Sequence, residues 1–174
     1  MQYAELHCLS NFTFLRGASH PHELVQRASE LSYTALAITD ECSLAGVVKA
    51  HVAAKEHNLA LIIGSEFTID DHKIIVLVTN REAYSELSSL ITLARRRSKK
   101  GEYKLTFSDL YHNLKQCLLI WLPSGQSDNN NSIGEQLSST FAGRLWIGIG
   151  HFLHGEEVSQ YLYFRNLAAL WELP

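Results

Sequence analysis

His7, Asp40, Glu41 and Glu66 are the residues of this chain best suited to chemistry. Imidazole and carboxylate together suit Zn, Mn or Fe, and a metal so held activates a water. Each residue stands at or just beyond the carboxyl end of a stretch that reads as a strand. In parallel β/α folds those ends converge on one mouth, so residues distant in sequence share a pocket. The same acids have a structural use, because strand-end carboxylates cap following helices and satisfy loop amides. A second group is the basic run Arg95, Arg96, Arg97, Ser98, Lys99 and Lys100. Its cations either complement the dipole at a helix C-terminus or contact nucleic-acid phosphates, with an affinity that falls steeply with salt. Trp146, Tyr161, Tyr163 and Trp171 read as core rather than as base-stacking platforms. Cys42 reads as a small residue at a helix start, with no neighbouring base to make it a nucleophile.

The elements that must position these groups follow from pattern. Ala35 to Thr39 is apolar on both faces, which suits a parallel sheet covered by helices, and it runs straight into Asp40 and Glu41. Tyr3 to Cys8 reads as an earlier strand, followed by a turn-rich segment from Ser10 to Ser19. A helix then starts near Pro21, with Ser19 or His20 as cap and Glu23 in its first turn. Leu24, Val25, Ala28 and Leu31 give it one apolar stripe. A second helix spans Leu44 to Glu56, burying Val47, Val48 and Val52 or their neighbours. Leu59 to Phe67 is a third strand, closing on Glu66. Strand starts roughly 25 to 30 residues apart are those of βαβ units.

The rhythm then changes. Phe67 to Ile69, the turn Asp70-Asp71-His72, and Lys73 to Val78 look like a hairpin. Arg81 to Arg97 is a helix with Tyr84, Leu87, Leu90, Ile91 and Ala94 on one face. Phe107 to Leu114 is a short helix capped by Thr106 or Ser108, and Gln116 to Leu122 is a buried strand. Pro123 to Ser132 is a loop by composition. A helix from Ile133 to Phe141, a strand from Leu145 to Gly150 and a helix from Glu156 to Trp171 complete the chain. Six strands alternating with helices indicate an α/β fold, an incomplete barrel rather than an open sheet.

Bulk properties are those of one ordinary domain: 174 residues, 46% hydrophobic and 19% charged. A formal net charge of −3 gives no global pull towards nucleic acid. Cys8, Cys42 and Cys117 lie far apart, which argues against a disulfide framework and a zinc ribbon and points to a reducing compartment. The N-terminus lacks the basic and apolar regions of a signal peptide, and no apolar run approaches the ~20 residues of a membrane span. A cytoplasmic location is expected.

Leu6-His-Cys-Leu-Ser10, Phe14-Leu-Arg-Gly17, Leu36-Ala-Ile-Thr-Asp-Glu41 and Ile63-Gly-Ser-Glu66 resemble the first motifs of the PHP (polymerase and histidinol phosphatase) domain. The resemblance runs from Tyr3 to about Arg97. It is strongest to the PHP domain that begins bacterial C-family DNA polymerases, and within these to the error-prone, damage-inducible branch. It implies a distorted seven-stranded β/α barrel, here a single PHP-like domain over residues 1–174 cut before its last strand, with the polymerase domains outside this chain. Metal-binding members carry His-x-His where this chain has His7 and Leu9. They carry Asp where it has Arg16, and His where it has Glu41. Glu66 matches an acidic ligand, and Lys73, with His72 beside it, stands where a further histidine is expected. The resemblance therefore implies a vestigial metal pocket of His7, Leu9, Arg16, Asp40, Glu41, Glu66 and Lys73, with no metal and no catalytic residue. His7, Glu41 and Glu66 are the ligands if one site survives. Arg16 is expected to pair with Glu41 or Glu66 in a structural ion network.

The function implied is that of a scaffold within an error-prone polymerase acting in damage-induced mutagenesis and translesion synthesis. Mg²⁺ would serve the parent's palm domain, and no cofactor serves this portion. Its partners would be the rest of the polymerase chain, primer–template DNA and accessory proteins of mutagenesis, with Arg95, Arg96, Arg97, Lys99 and Lys100 as nucleic-acid contacts. The alternatives are a metal-dependent phosphoesterase or 3′–5′ exonuclease, and a protein-docking module.

Overall fold

A computed structural model describes residues 3–123, 129–150 and 157–174. Its strands are β1 (Ala4–Cys8), β2 (Ala35–Ile38), β3 (Ala60–Ile69), β4 (His72–Leu77), β5 (Leu118–Leu122) and β6 (Leu145–Ile147). Its helices are α1 (Pro21–Glu30), α2 (Val47–Glu56), α3 (Arg81–Arg96), α4 (Phe107–Asn113), α5 (Asn129–Thr140) and α6 (Glu157–Leu170). The strands form one sheet in sequence order that curls into a half-barrel. β1, β2 and β3 run parallel, β4 is antiparallel to both its neighbours, and β5 and β6 are parallel.

Alternation along the strands separates an inner and an outer face. Ala37, Ile62, Ile75, Leu77, Leu118, Ile120 and Leu122 pack together inside. Leu36 and Ile38 point outwards against α1 and α2, where Val25, Ala28, Ala50, Ala53 and Ala54 complete a small cluster. Phe67, Ile74, Val76, Leu119 and Trp121 point outwards against α3, α4 and α5, in a far larger core holding Leu87, Leu90, Leu110 and Phe141. A cavity of about 1100 Å³ opens on the inner side between the edges β1 and β6, walled by Ile75, Ile120, Trp146 and Phe164 among others.

Local chemistry explains most boundaries. Asp70 (φ 47°) and Asp71 (φ 68°) form a two-residue turn in the left-handed region, which matches the twist of a hairpin. Thr106 accepts from the Asp109 amide and Asp109 reaches back to the Thr106 amide, starting α4 with a capping box. Asn80 caps α3 through the Ala83 amide. Gly134 lies against Trp171, whose ring occupies the space a Cβ would need.

Several expectations are corrected. α2 starts at Val47 rather than near Leu44; Val47 is buried as expected, together with Ala50, Ala53 and Ala54, while Val48 and Val52 face solvent. Leu31 and Tyr84 are exposed, and Ala83 takes the place of Tyr84 on the buried face of α3. β3 does not end at Glu66 but continues to Ile69 as the first arm of the hairpin. Residues 129–132 belong to α5 rather than to a loop, because Asn130 is buried and donates to the Tyr163 hydroxyl at 3.0 Å. The strand expected to Gly150 stops at Ile147. Residues 124–128 of the expected loop, and Glu156 at the expected start of the last helix, lie outside the described residues.

Candidate functional site

Glu66 sits where β2 has ended but β3 continues, on the inner face at the barrel mouth and fully buried. Its carboxylate collects three partners. His7 Nε2, from the end of β1, lies 2.7 Å from Oε2. Arg16 Nη1, from the loop after β1, donates to Oε1 at 2.5 Å, and Nη2 reaches Oε2 at 3.3 Å. Lys73 Nζ, from β4, lies 3.9 Å from Oε1. Arg16 Nη1 also donates to Glu41 Oε2 at 2.7 Å, so one guanidinium holds both acids. Glu41 Oε1 accepts from the Tyr103 hydroxyl at 2.8 Å, and that hydroxyl accepts from the Thr68 amide.

The electrostatics follow from this geometry. Burial alone would raise the Glu66 carboxyl, but hydrogen bonds from His7 and Arg16 and the charges of Lys73 and Arg16 outweigh it and bring it to about 2. The bond to Glu66 raises Arg16 still further, so the guanidinium is permanently charged. Burial, reinforced by Glu41 and opposed by the Thr68 amide, pushes the Tyr103 phenol up to about 12. Cys42 is buried and pushed up to about 11, which leaves it a neutral thiol near neutral pH.

Asp40 parts company with its neighbour. Adjacent residues leaving a strand point to opposite sides, and Asp40 turns into the loop of residues 9–17. There it accepts from the Ser10 amide at 2.8 Å, the Ser10 hydroxyl at 2.7 Å and the Thr13 hydroxyl at 2.7 Å. Gly17 closes the same loop, because a Cβ there would run into the Ser10 carbonyl. Asp40 therefore braces the loop that carries Arg16, and it is not gathered with His7 and Glu66. Leu9 follows β1 half-buried and brings no donor. Alternation along β4 sends Lys73 to the mouth and His72 to the outer core, where His72 Nδ1 accepts from Trp121 Nε1 at 3.4 Å and burial lowers its pKa.

The basic run divides as well. Arg95 spends its guanidinium on the carbonyls of Glu41, Cys42, Gly101 and Glu102 and lies 5.5 Å over the Tyr103 ring. Arg97 pairs with Asp109 at 2.7 Å. Arg96, Lys99 and Lys100 are exposed. Of the late aromatics, Trp171 packs on Trp121 at 5.9 Å between ring centres, and Trp146 and Tyr163 are half-buried. Tyr161, expected in the core, is exposed. Tyr103 and the bracing role of Arg95 escape sequence reasoning, since no local spacing ties positions 95 and 103 to Glu41.

This donor set suits a dication poorly. His7 and Glu66 bond to each other, and the carboxylates that would face an ion already share a fixed positive charge.

Comparison with known proteins agrees with the fold. The family model described as "PHP domain" matches residues 5–128. The chain is 51% identical over 175 residues to an error-prone DNA polymerase of Saccharophagus degradans, covering 100% of this chain and 17% of that one. It is 53% identical over 174 residues to an error-prone DNA polymerase of Methylococcus capsulatus, covering 99% of this chain and 16% of that one. Among solved structures, an amidohydrolase from Chromobacterium violaceum, with sulfate bound and no metal, superposes with a TM-score of 0.67 at 16% identity, covering 98% of this chain and 84% of that one. A protein assigned as a metal-dependent phosphoesterase from Bifidobacterium adolescentis gives 0.63 at 18% identity, covering 99% and 85%.

Proposed function

This chain belongs to the PHP domain family, and on that premise we propose that it is the scaffold portion of an error-prone DNA polymerase, with a mouth closed to catalysis. The observation that carries the reading is Arg16 placed between Glu41 and Glu66. A guanidinium in that position offsets the charge of the two acids without metal and occupies the oxygens that would activate a water. In this reading the parent enzyme extends DNA across damaged template in the cytoplasm during damage-induced mutagenesis. Mg²⁺ serves the nucleotide transfer in a palm domain outside this chain. Identity near 50% to two enzymes named error-prone DNA polymerase supports this, although the chain spans only 17% and 16% of their lengths. Residues 1–174 then act as one module packed against the rest of the polymerase, with no chemistry of their own.

Metal content tests the reading. The purified chain is incubated with Mn²⁺ and Zn²⁺, desalted and assayed for bound metal by mass spectrometry. Near-zero metal is expected. One equivalent or more, lost in His7→Ala and in Glu66→Ala, would overturn the reading in favour of a phosphoesterase or exonuclease.

A further inference from the structure

The last helix differs from the others in what it turns to solvent. The exposed residues of α1 are all polar, and those of α3 are polar apart from Tyr84. On α2, Val48 and Val52 stand among Lys49, His51, Lys55 and Glu56. α6 is apolar on both sides. Its inner side buries Phe164 and Leu167, and Trp171 just beyond it packs on Trp121. Its outer side leaves Val158 74% exposed, Leu170 62%, Tyr161 44% and Leu162 43%. Val158, Leu162, Arg165 and Ala169 follow one another at helical steps, with Tyr161 and Leu170 beside them, so the apolar groups form one stripe. Arg165 is the one charged residue from Val158 to Leu170, and it joins no ion pair among the described residues. A helix that is apolar all round belongs in an interior.

Two observations say what covers this stripe. The first is its size. One helix face from Val158 to Ala169 is about 17 Å long and about 10 Å wide. That is far short of the ~800 Å² per partner of a stable interface between separate chains. A partner within the same polypeptide needs no such area, because a short tether holds it at an effective concentration of order millimolar. The second is where the chain leads. The Leu173 amide donates to the Ala168 carbonyl at 2.8 Å, and the Pro174 carbonyl accepts from the Ile147 amide at 3.4 Å. The backbone at Pro174 is thereby turned back beside α6, at the edge of β6. The two error-prone polymerases match this chain over 17% and 16% of their lengths, at their N-terminal portion, so most of such a polypeptide follows the matched part.

We propose that the outer face of α6 is where the polypeptide following Pro174 packs in the full-length polymerase, through a largely apolar surface with a carboxylate opposite Arg165. The inference rests on the reading of this chain as one portion of that enzyme, and it names the surface by which the portion is held.

Hydroxyl-radical footprinting of the full-length polymerase, read residue by residue by mass spectrometry, tests the proposal. Tyr84 is the internal standard, because it has the same ring as Tyr161 and a similar exposure, 38% against 44%. Tyr161 is expected to be modified several times more slowly than Tyr84 and no faster than the half-buried Tyr111, with Leu162 protected alongside it. Leu162→Asp places an unpaired charge in the contact and is expected to raise Tyr161 to the rate of Tyr84. Protection within one polypeptide survives dilution by about a hundredfold, whereas protection by a separate chain follows mass action. Tyr161 reacting as fast as Tyr84 in the native enzyme would overturn the proposal. So would protection that is lost on dilution, which would give the stripe to a second copy, and so would protection that Leu162→Asp leaves intact. The mouth is read separately. Bound metal with Tyr161 protected would sink the scaffold reading and keep the docking face, whereas a metal-free mouth with Tyr161 open would do the reverse.

Discussion

The two sides of the half-barrel are held together by different chemistry. Outside β4 and β5 the core is large and built on Trp121, Phe67, Phe141 and a row of leucines. Outside β1 and β2 it is small, and half of its buried side chains are alanines. Small side chains let α1 and α2 approach the sheet closely, but they remove little apolar surface from water. The polar ties of the barrel mouth join the strands of that same half. Asp40 knits the loop of residues 9–17, Ser65 donates to the Asp40 carbonyl at 2.7 Å, and Arg16 joins Glu41 to Glu66. Residues that look like an active site by type thus also tie together the half of the fold whose core is small.

Truncation at the large core should have the greatest effect. Trp121→Ala is expected to cost about 4 kcal/mol in urea unfolding, as buried aromatic truncations do; a loss below about 1 kcal/mol would break the contrast. Arg16→Ala leaves Glu66 buried with weaker compensation. It should cost about 2 kcal/mol near neutral pH, less than the ~3–5 for a fully buried pair because Arg16 is 34% exposed. The pH dependence sharpens this. Glu66 is depressed from 4.5 to about 2, so its contribution is complete above pH 4.5 and is lost as pH falls through 2. Thermal midpoints should therefore show the gap between wild type and Arg16→Ala narrowing below about pH 4.5, and a constant gap would count against the ion network. The smallest effect belongs to the outer face of α2. Val48→Thr should change stability by no more than about 0.5 kcal/mol, because Val48 is 73% exposed.

Much of this was legible in the sequence where one period dominates. The run Leu36, Ala37, Ile38 reads as a doubly covered strand because each residue is apolar, and all three are buried. The pairing of Arg16 with acids was legible through the family motifs rather than through spacing. The exposed faces of Val48, Val52 and Tyr84 were not legible, since helical period locates a stripe but not which of two adjacent rows meets the sheet. Ala50, Ala53 and Ala83 win because close approach of helix and strand excludes the larger side chains. The helical start at Asn129 was hidden because its composition is that of a loop, and the Tyr163 hydroxyl that accepts from the Asn130 amide is distant in sequence. The basic run reads as one unit, whereas Arg95 is turned inwards by carbonyls at Glu41 and Cys42, more than fifty positions away.

The spatial order of the strands, identical to their order along the chain, bears on how the fold is reached. Each new strand joins the edge laid down just before it, and no strand must insert between two that are already paired. The tight turn at Asp70 and Asp71 makes the β3–β4 arms the most local pairing, able to zip within microseconds. Growth can then spread outwards in both directions, each later strand closing a connection that carries one or two helices before it gains its partner, so these steps are slower than the hairpin. Such a sheet can assemble strand by strand as it emerges during synthesis, ahead of anything that follows it.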